Sequence, residues 1–188
     1  MKHHIDLSSV LRDTISCELY SNLVTRPTGA AVRGAIEKIL STGSGRALTV
    51  IDLSQVSMID FSCADEVIAK LVLKYAQEDA PSEVYFVFRG IGDDHWVAVE
   101  AVLECHGLAV VLETPDGYAL AGPVTENEAR AWEAVRLLGP APAIAVANET
   151  ATDPEETERT LEDLWRRRVL VKLGGDYAAV GPHDVHRD

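Results

Sequence analysis

Between residues 47 and 121 the chain alternates between two hydrophobic periods. Ala47-Leu48-Thr49-Val50-Ile51-Asp52-Leu53, preceded by Gly43 and Gly45, is a short apolar, β-branched run and reads as a buried strand. After Ser57-Met58-Ile59-Asp60 the period changes. Ala64, Val67, Ile68, Leu71, Val72 and Tyr75 fall at i, i+3, i+4, i+7, i+8 and i+11, which is one apolar helix face. Glu66 and Lys70 make an i, i+4 pair on the other side, and Pro81 stops the segment. The unit then repeats. Glu83 to Phe88 is a second strand. Val97, Val99, Val102 and Leu103 mark a second helix, ended by Gly107, a residue tolerant of the left-handed conformation. Leu108 to Leu112 is a third strand, Asp116-Gly117 a turn, and Tyr118 to Ala121 a short returning strand. Upstream, Val32, Ile36, Ile39 and Leu40 place a helix over Gly29 to Leu40, while Ile15 to Leu23 fits either a strand or a helix start. Strands joined by helices favour parallel or mixed pairing with helices covering the sheet, so residues 1–122 read as one α/β unit.

Gly122-Pro123 breaks this alternation. Thr125 and Glu128 have capping-box spacing at the head of a helix whose apolar stripe is Ala129, Trp132, Val135 and Leu138. Gly139-Pro140-Ala141-Pro142 ends it, and Ala143 to Asn148 is a short second helix. Asp153-Pro154 opens a third, with Pro in the first turn and Glu155 and Glu156 at the positive dipole end. Leu161 and Leu164 point inward. Val169 to Leu173 and Tyr177 to Val180, joined by Gly174-Gly175-Asp176, read as a hairpin. Three helices and a hairpin suggest a small winged-helix-like α+β domain over residues 123–188, with a polar tail from Pro182 expected to fray.

Composition narrows the function classes. The chain is 47% hydrophobic and 25% charged, which is ordinary for a globular protein. No apolar stretch approaches the roughly 20 residues needed to span a bilayer. Met1 to Asp6 lacks the apolar run of a secretory signal, so a cytoplasmic protein without membrane contact is expected. The formal net charge of -13 argues against a general polyanion binder. Residues 125–188 hold 13 acidic and 8 basic side chains. The helix before the hairpin carries Asp153, Glu155, Glu156, Glu158, Glu162 and Asp163 against Arg159, and only Arg166-Arg167-Arg168 at its end is basic. A carboxylate-rich reading helix repels phosphates, so this segment is expected to touch protein rather than DNA, its arginines complementing the helix C-terminus. Cys17, Cys63 and Cys105 are odd in number, far apart and without zinc-ligand spacing, and are expected to be buried reduced thiols.

The most informative stretch runs from Val50 to Glu66: Val-Ile-Asp-Leu-Ser-Gln-Val-Ser-Met-Ile-Asp-Phe-Ser-Cys-Ala-Asp-Glu. It resembles the STAS domain, the fold shared by bacterial anti-sigma factor antagonists and the cytosolic tails of some anion transporters, and the resemblance covers about residues 45–122. That family shows a strand ending in Asp-Leu-Ser, a short link, and Asp-Ser-Ser-Gly opening an amphipathic helix. The resemblance puts Asp60 on the family's Asp and Ser62 on the serine that partner kinases phosphorylate. Phe61 stands in place of the first hydroxyl residue and Cys63 in place of the glycine, so a kinase that reads the family motif meets a different one here. The implied function is a non-enzymatic bacterial signalling protein acting by protein contact through Asp60, Phe61, Ser62, Cys63, Asp65 and Glu66. A kinase-like ATPase or another regulator would be its partner, with a possible switch at Ser62.

Read without the family, Ser62 lies where a helix begins and can act as its N-cap, worth about 1 kcal/mol. Asp60, at the end of a strand, can cap the same helix or shape a partner-recognition loop. A phosphate on Ser62 would gain from the helix dipole but face Asp60, Asp65 and Glu66, so repulsion is expected to dominate.

Other candidates carry less. Asp93-Asp94 fit a solvated helix start. Gly90-x-Gly92 lacks the third glycine and the Lys and Ser/Thr of a phosphate loop. Cys105 and His106 are helix neighbours pointing about 100° apart, a poor nucleophile–base pair. His3, His4, His183 and His186 lie near the ends, where solvation is the default, and no GxSxG elbow occurs. No catalytic residues, metal or cofactor are therefore assigned. The competing functions are a winged-helix transcriptional regulator with a STAS-like sensing domain, binding DNA through Arg166, Arg167 and Arg168, and a small hydrolase or transferase using Asp60 and Ser62. A homodimer is compatible with each.

Overall fold

The parallel strands are laid down in spatial order, and this decides where everything else goes. In the computed structural model, which describes residues 2–15, 21–41, 45–77, 79–80 and 82–181, the main sheet comprises β1 (Lys2–Asp6), β3 (Ala47–Asp52), β5 (Val84–Arg89), β6 (Val110–Thr114) and β7 (Gly117–Ala121), adjacent in that order. The first four strands run parallel and β7 returns antiparallel to β6, as the Asp116-Gly117 turn requires. Each parallel neighbour is reached through helix: α1 (Leu7–Ile15) and α2 (Arg26–Leu40), then α3 (Phe61–Ala64) and α4 (Lys70–Ala76), then α5 (Asp93–His106). Right-handed crossovers that never reverse direction put all these helices on one face. They bury Leu11, Val32, Ile36, Val67, Ile68, Leu71, Val99 and Leu103 against Ile51, Val84, Phe86, Phe88 and Val110.

That leaves the second face, whose residues alternate with the first: Leu48, Val50, Tyr85, Val87, Ala109 and Val111. The segment after Gly122-Pro123 covers it. It contains α6 (Glu126–Leu138), α7 (Ala143–Thr150), α8 (Pro154–Arg166) and a hairpin of β8 (Leu170–Leu173) and β9 (Asp176–Ala179). Trp132, Val135, Val146, Leu161, Leu164, Leu170 and Tyr177 join the six sheet residues in one apolar cluster. The change of sequence character at residue 122 thus marks a change of layer in an α/β sandwich, and the two segments share a core. Both expected caps are present. Thr125 Oγ1 accepts from Glu128 N while Glu128 accepts from Thr125 N, and Asp153 accepts from Glu155 N and Glu156 N ahead of Pro154. Leu138, expected in the inward stripe, is 45% exposed, because α6 ends there and the chain turns away at Gly139.

The N-terminus differs most from expectation. Residues 2–15 form a strand and a helix, and His4, solvent-exposed as expected, lies in β1 with its Nε2 3.4 Å from Asp52. Ile15 ends α1, and Asn22–Leu23 form a short strand, β2, paired in parallel with β4 (Met58–Ile59). Cys17, His183, His186 and the tail Pro182–Asp188 lie outside the described residues. Among the described residues no helix is long and apolar enough to cross a membrane.

Candidate functional site

β2 and β4 bring the heads of α2 and α3 together, and Asp60 joins them. Asp60 N donates to Leu23 O (2.9 Å). Its carboxylate accepts from Cys63 N (2.8 Å) through one oxygen and from Thr25 N (2.9 Å) through the other. Asp60 is therefore the N-cap of α3, and Ser62, for which a capping role was equally open, is not. Burial pushes the Asp60 carboxyl up, but the N–H groups of Thr25 and Cys63 outweigh it and hold it below the ordinary range. Thr25 is a β-branched residue at φ 74°, a conformation that costs about 1–3 kcal/mol and persists only where surroundings enforce it. Its carbonyl accepts from Gly29 N and the Cys63 thiol (3.0 Å).

Close approach of the two helices needs Gly29. A Cβ there would lie 2.9 Å from the Cys63 Cα, which is backbone and cannot step aside. Cys63 is buried as expected, and burial with the Asp60 charge pushes its thiol up to about 12, so it stays protonated at neutral pH. Cys105, expected to be buried, is exposed on the outer side of α5.

α3 passes through a π-helical turn, Asp65–Ala69, before α4, and Lys70 N bonds Asp65 O across it. All residues from Cys63 to Ala69 are buried, since this helix lies between the sheet, α2 and α5. Asp65 and Glu66, expected on a partner-facing surface, are therefore interior: their side chains are 8% and 4% exposed. A buried carboxylate must be paired, and both are. Asp65 accepts from Arg26 (2.5 Å) and His106 Nε2 (2.7 Å). Glu66 accepts from Arg26 (3.1 Å), Arg33 Nε (3.2 Å) and Lys70 Nζ. Arg33 and Lys74 also hold Glu37, at 2.7 and 2.8 Å. Burial raises both carboxyls, and the hydrogen bonds and charges of these cations more than reverse it, so each sits below its ordinary value. Arg26 and Arg33 were not singled out by the sequence, and His106 was weighed there only as a base beside Cys105.

Two of the six expected contact residues face outward. Phe61 is 42% exposed, next to Met58 at 53%. Ser62 is half-buried, and its hydroxyl makes no hydrogen bond to a described residue. The head of α3 thus presents one unengaged hydroxyl between exposed apolar side chains, on a base fixed by Asp60 and the ion-pair network.

The carboxyl ends of the strands form a second place for chemistry, since ligands of parallel sheets gather there. A cleft of about 700 Å³ lies between the ends of β5 and β6. Its Arg89 is engaged, donating to Asp52 through Nε (2.9 Å) and a terminal nitrogen (2.7 Å). Asp93 and Asp94 sit exposed in the first turn of α5. His95 spans from Gly92 N to Val56 O, a structural tie. Among the described residues no three His, Cys, Asp or Glu side chains are grouped to hold a metal ion. Burial opposes ionisation of Asp52, yet the bonds from Arg89 and Ser54 draw it down to about 2. A depressed carboxyl contributes stability that is complete above its unfolded value of 3.8 and disappears as pH falls to about 2. Urea unfolding of wild type and Asp52→Asn should accordingly differ by about 2 kcal/mol at neutral pH and converge through that window. A gap that persists at pH 2 would contradict the assignment.

Comparison of the chain with protein-family models, with curated proteins and with solved structures finds no match.

Proposed function

We propose that this chain is a non-enzymatic signalling protein of STAS-like type that works by protein contact through the head of α3, with Ser62 as its regulated residue. One observation carries the reading. The capping task that would occupy a serine at a helix start is performed by Asp60, which leaves the Ser62 hydroxyl unengaged beside exposed Phe61 and Met58. Exposed apolar side chains are the ordinary centre of a contact surface, with polar residues at its rim. The strand–link–helix order from Val50 to Glu66 agrees with the family resemblance, as does a mixed sheet flanked by helices. Of the three carboxylates expected to oppose a phosphate on Ser62, Asp65 and Glu66 are paired with Arg26, Arg33 and Lys70, so the helix dipole is opposed by less charge than the sequence implies.

The order helix–helix–helix–hairpin supports a winged-helix-like reading of the C-terminal layer, in a role of protein contact. Arg167 is held by Glu128 and the Pro123 carbonyl, which removes one of the three arginines, and the exposed carboxylates along α8 repel a DNA backbone.

The test is a matched pull-down with mass spectrometry, in which Ser62 phosphate is mapped at the same time. Wild type and Ser62→Ala are expected to recover the same partner. Ser62→Asp and Phe61→Glu should weaken it by about 30-fold, the scale of one interface hot spot, with thermal stability kept. Equal recovery by all four proteins refutes the reading.

A further inference from the structure

We propose that the cavity between the end of α4 and the end of α8 is a binding site for a small phosphate monoester. It encloses about 550 Å³, within the usual range for small-molecule sites, and lies at the amino ends of β3 and β5, the opposite end of the strands from the Arg89 cleft. Among the described residues its lining includes four cations, Arg46, Arg166, Arg168 and Lys172, and one carboxylate, Glu83. In a chain of net charge -13 this is a local reversal of sign. Glu83 is already engaged by Arg46 (3.0 Å) and the Tyr85 hydroxyl (2.6 Å). Lys172 pairs with Glu162, and Arg166 lies 3.7 Å from Glu162 and 3.4 Å from Asp163 with its side chain 65% exposed.

Two neighbouring residues beside this cavity hold donors that meet no acceptor among the described residues. The Trp165 indole Nε1–H is buried and has no hydrogen-bond partner. Arg168 is 16% exposed; its Nε donates to the Tyr75 carbonyl at 3.1 Å, its guanidinium lies 5.5 Å from the Tyr85 ring centre, and a terminal nitrogen lies 4.0 Å from Glu83, beyond hydrogen-bond reach. Arg168 also sits at φ 61°, the left-handed position after α8 where glycine is usual. The fold holds an arginine in a strained conformation there, with its guanidinium against the Tyr85 ring and a terminal nitrogen beyond hydrogen-bond reach of Glu83. Donors without acceptors, under net positive charge, call for an anion with several oxygens. A phosphate monoester brings three terminal oxygens and a charge near -2, matching guanidinium forks better than a carboxylate does. The volume leaves room for an organic substituent. A nucleic-acid backbone fits less well, because Glu155, Glu156, Glu158 and Asp163 are exposed along the adjoining helix.

Calorimetric titration of the full chain tests this with phenyl phosphate, glycerol 3-phosphate, inorganic phosphate, phenol and a random DNA duplex. Saturable binding of at least one monoester is expected, tighter than inorganic phosphate and with no binding of phenol. The double variant Arg166→Ala, Lys172→Met should keep its melting temperature and lose about tenfold or more in affinity. Trp165→Phe, which removes the donor and keeps an aromatic ring, should weaken binding severalfold. The proposal fails if neither monoester saturates, if phenol binds equally, if the variants bind as wild type does, or if the duplex binds more tightly than either monoester.

Discussion

Trp132→Ala is expected to destabilise the chain by about 3–5 kcal/mol and to do so in one transition that involves both layers. Trp132 is 2% exposed and belongs to the cluster in which Leu48, Val50, Tyr85 and Val87 of the sheet meet Leu161 and Leu164 of α8. Truncation opens a cavity in that shared core. It also removes the indole N–H that donates to the Val169 carbonyl at 3.1 Å, orphaning a buried acceptor. Because the sheet's second face has no other cover among the described residues, loosening the C-terminal layer exposes six buried sheet residues to water. Unfolding of the two layers is then coupled. Far-UV circular dichroism and tryptophan fluorescence, which senses Trp96 in one layer and Trp165 in the other, should give coincident urea transitions in wild type and variant. Two transitions, of which only one shifts, would mean that residues 123–181 fold independently.

The same packing explains what could be read from the sequence. β3, β5 and β6 were legible because strands covered on both faces are continuously apolar. The caps at Thr125 and Asp153 were legible because capping is chemistry within four residues. β1 was not. Lys2-His3-His4-Ile5-Asp6 is an edge strand with one buried residue, Ile5, and its pairing with β3 spans more than forty residues. The burial of Asp65 and Glu66 was equally hidden, since charge signals surface and most of their partners come from 33 to 41 positions away. A signal did exist: Arg26, Arg33 and Glu37 fall at i, i+7 and i+11, a charged stripe on one face of a helix whose Val32, Ile36 and Leu40 are buried. Asp60 and Ser62 both have cap chemistry, and only the approach of Thr25 N from the neighbouring helix separates their roles.

Glu66→Gln should cost about 2–3 kcal/mol, and the way this cost varies with pH identifies its origin. Breaking a buried ion pair typically costs about 3–5 kcal/mol, because a charge is left without compensation. Here the cations left behind, Arg26, Arg33 and Lys70, are 50%, 27% and 40% exposed and can recover water, which brings the cost just below that range. The glutamine keeps the volume of the side chain, so packing contributes little. Glu66 is ionised in the fold below its ordinary value of 4.5, so its contribution is complete above that pH and vanishes as pH falls through the folded value. Wild type and variant should therefore differ fully at pH 7 and approach each other on acidification below 4.5. High salt should narrow the gap only slightly, because the carboxylate is buried and poorly screened. A difference independent of pH would assign the loss to shape instead of charge. Asp65 and Glu66 would then have no electrostatic cause for lying together inside a π-turn, where Lys70 reaches both carboxylates and fixes the base from which Phe61 and Ser62 face outward.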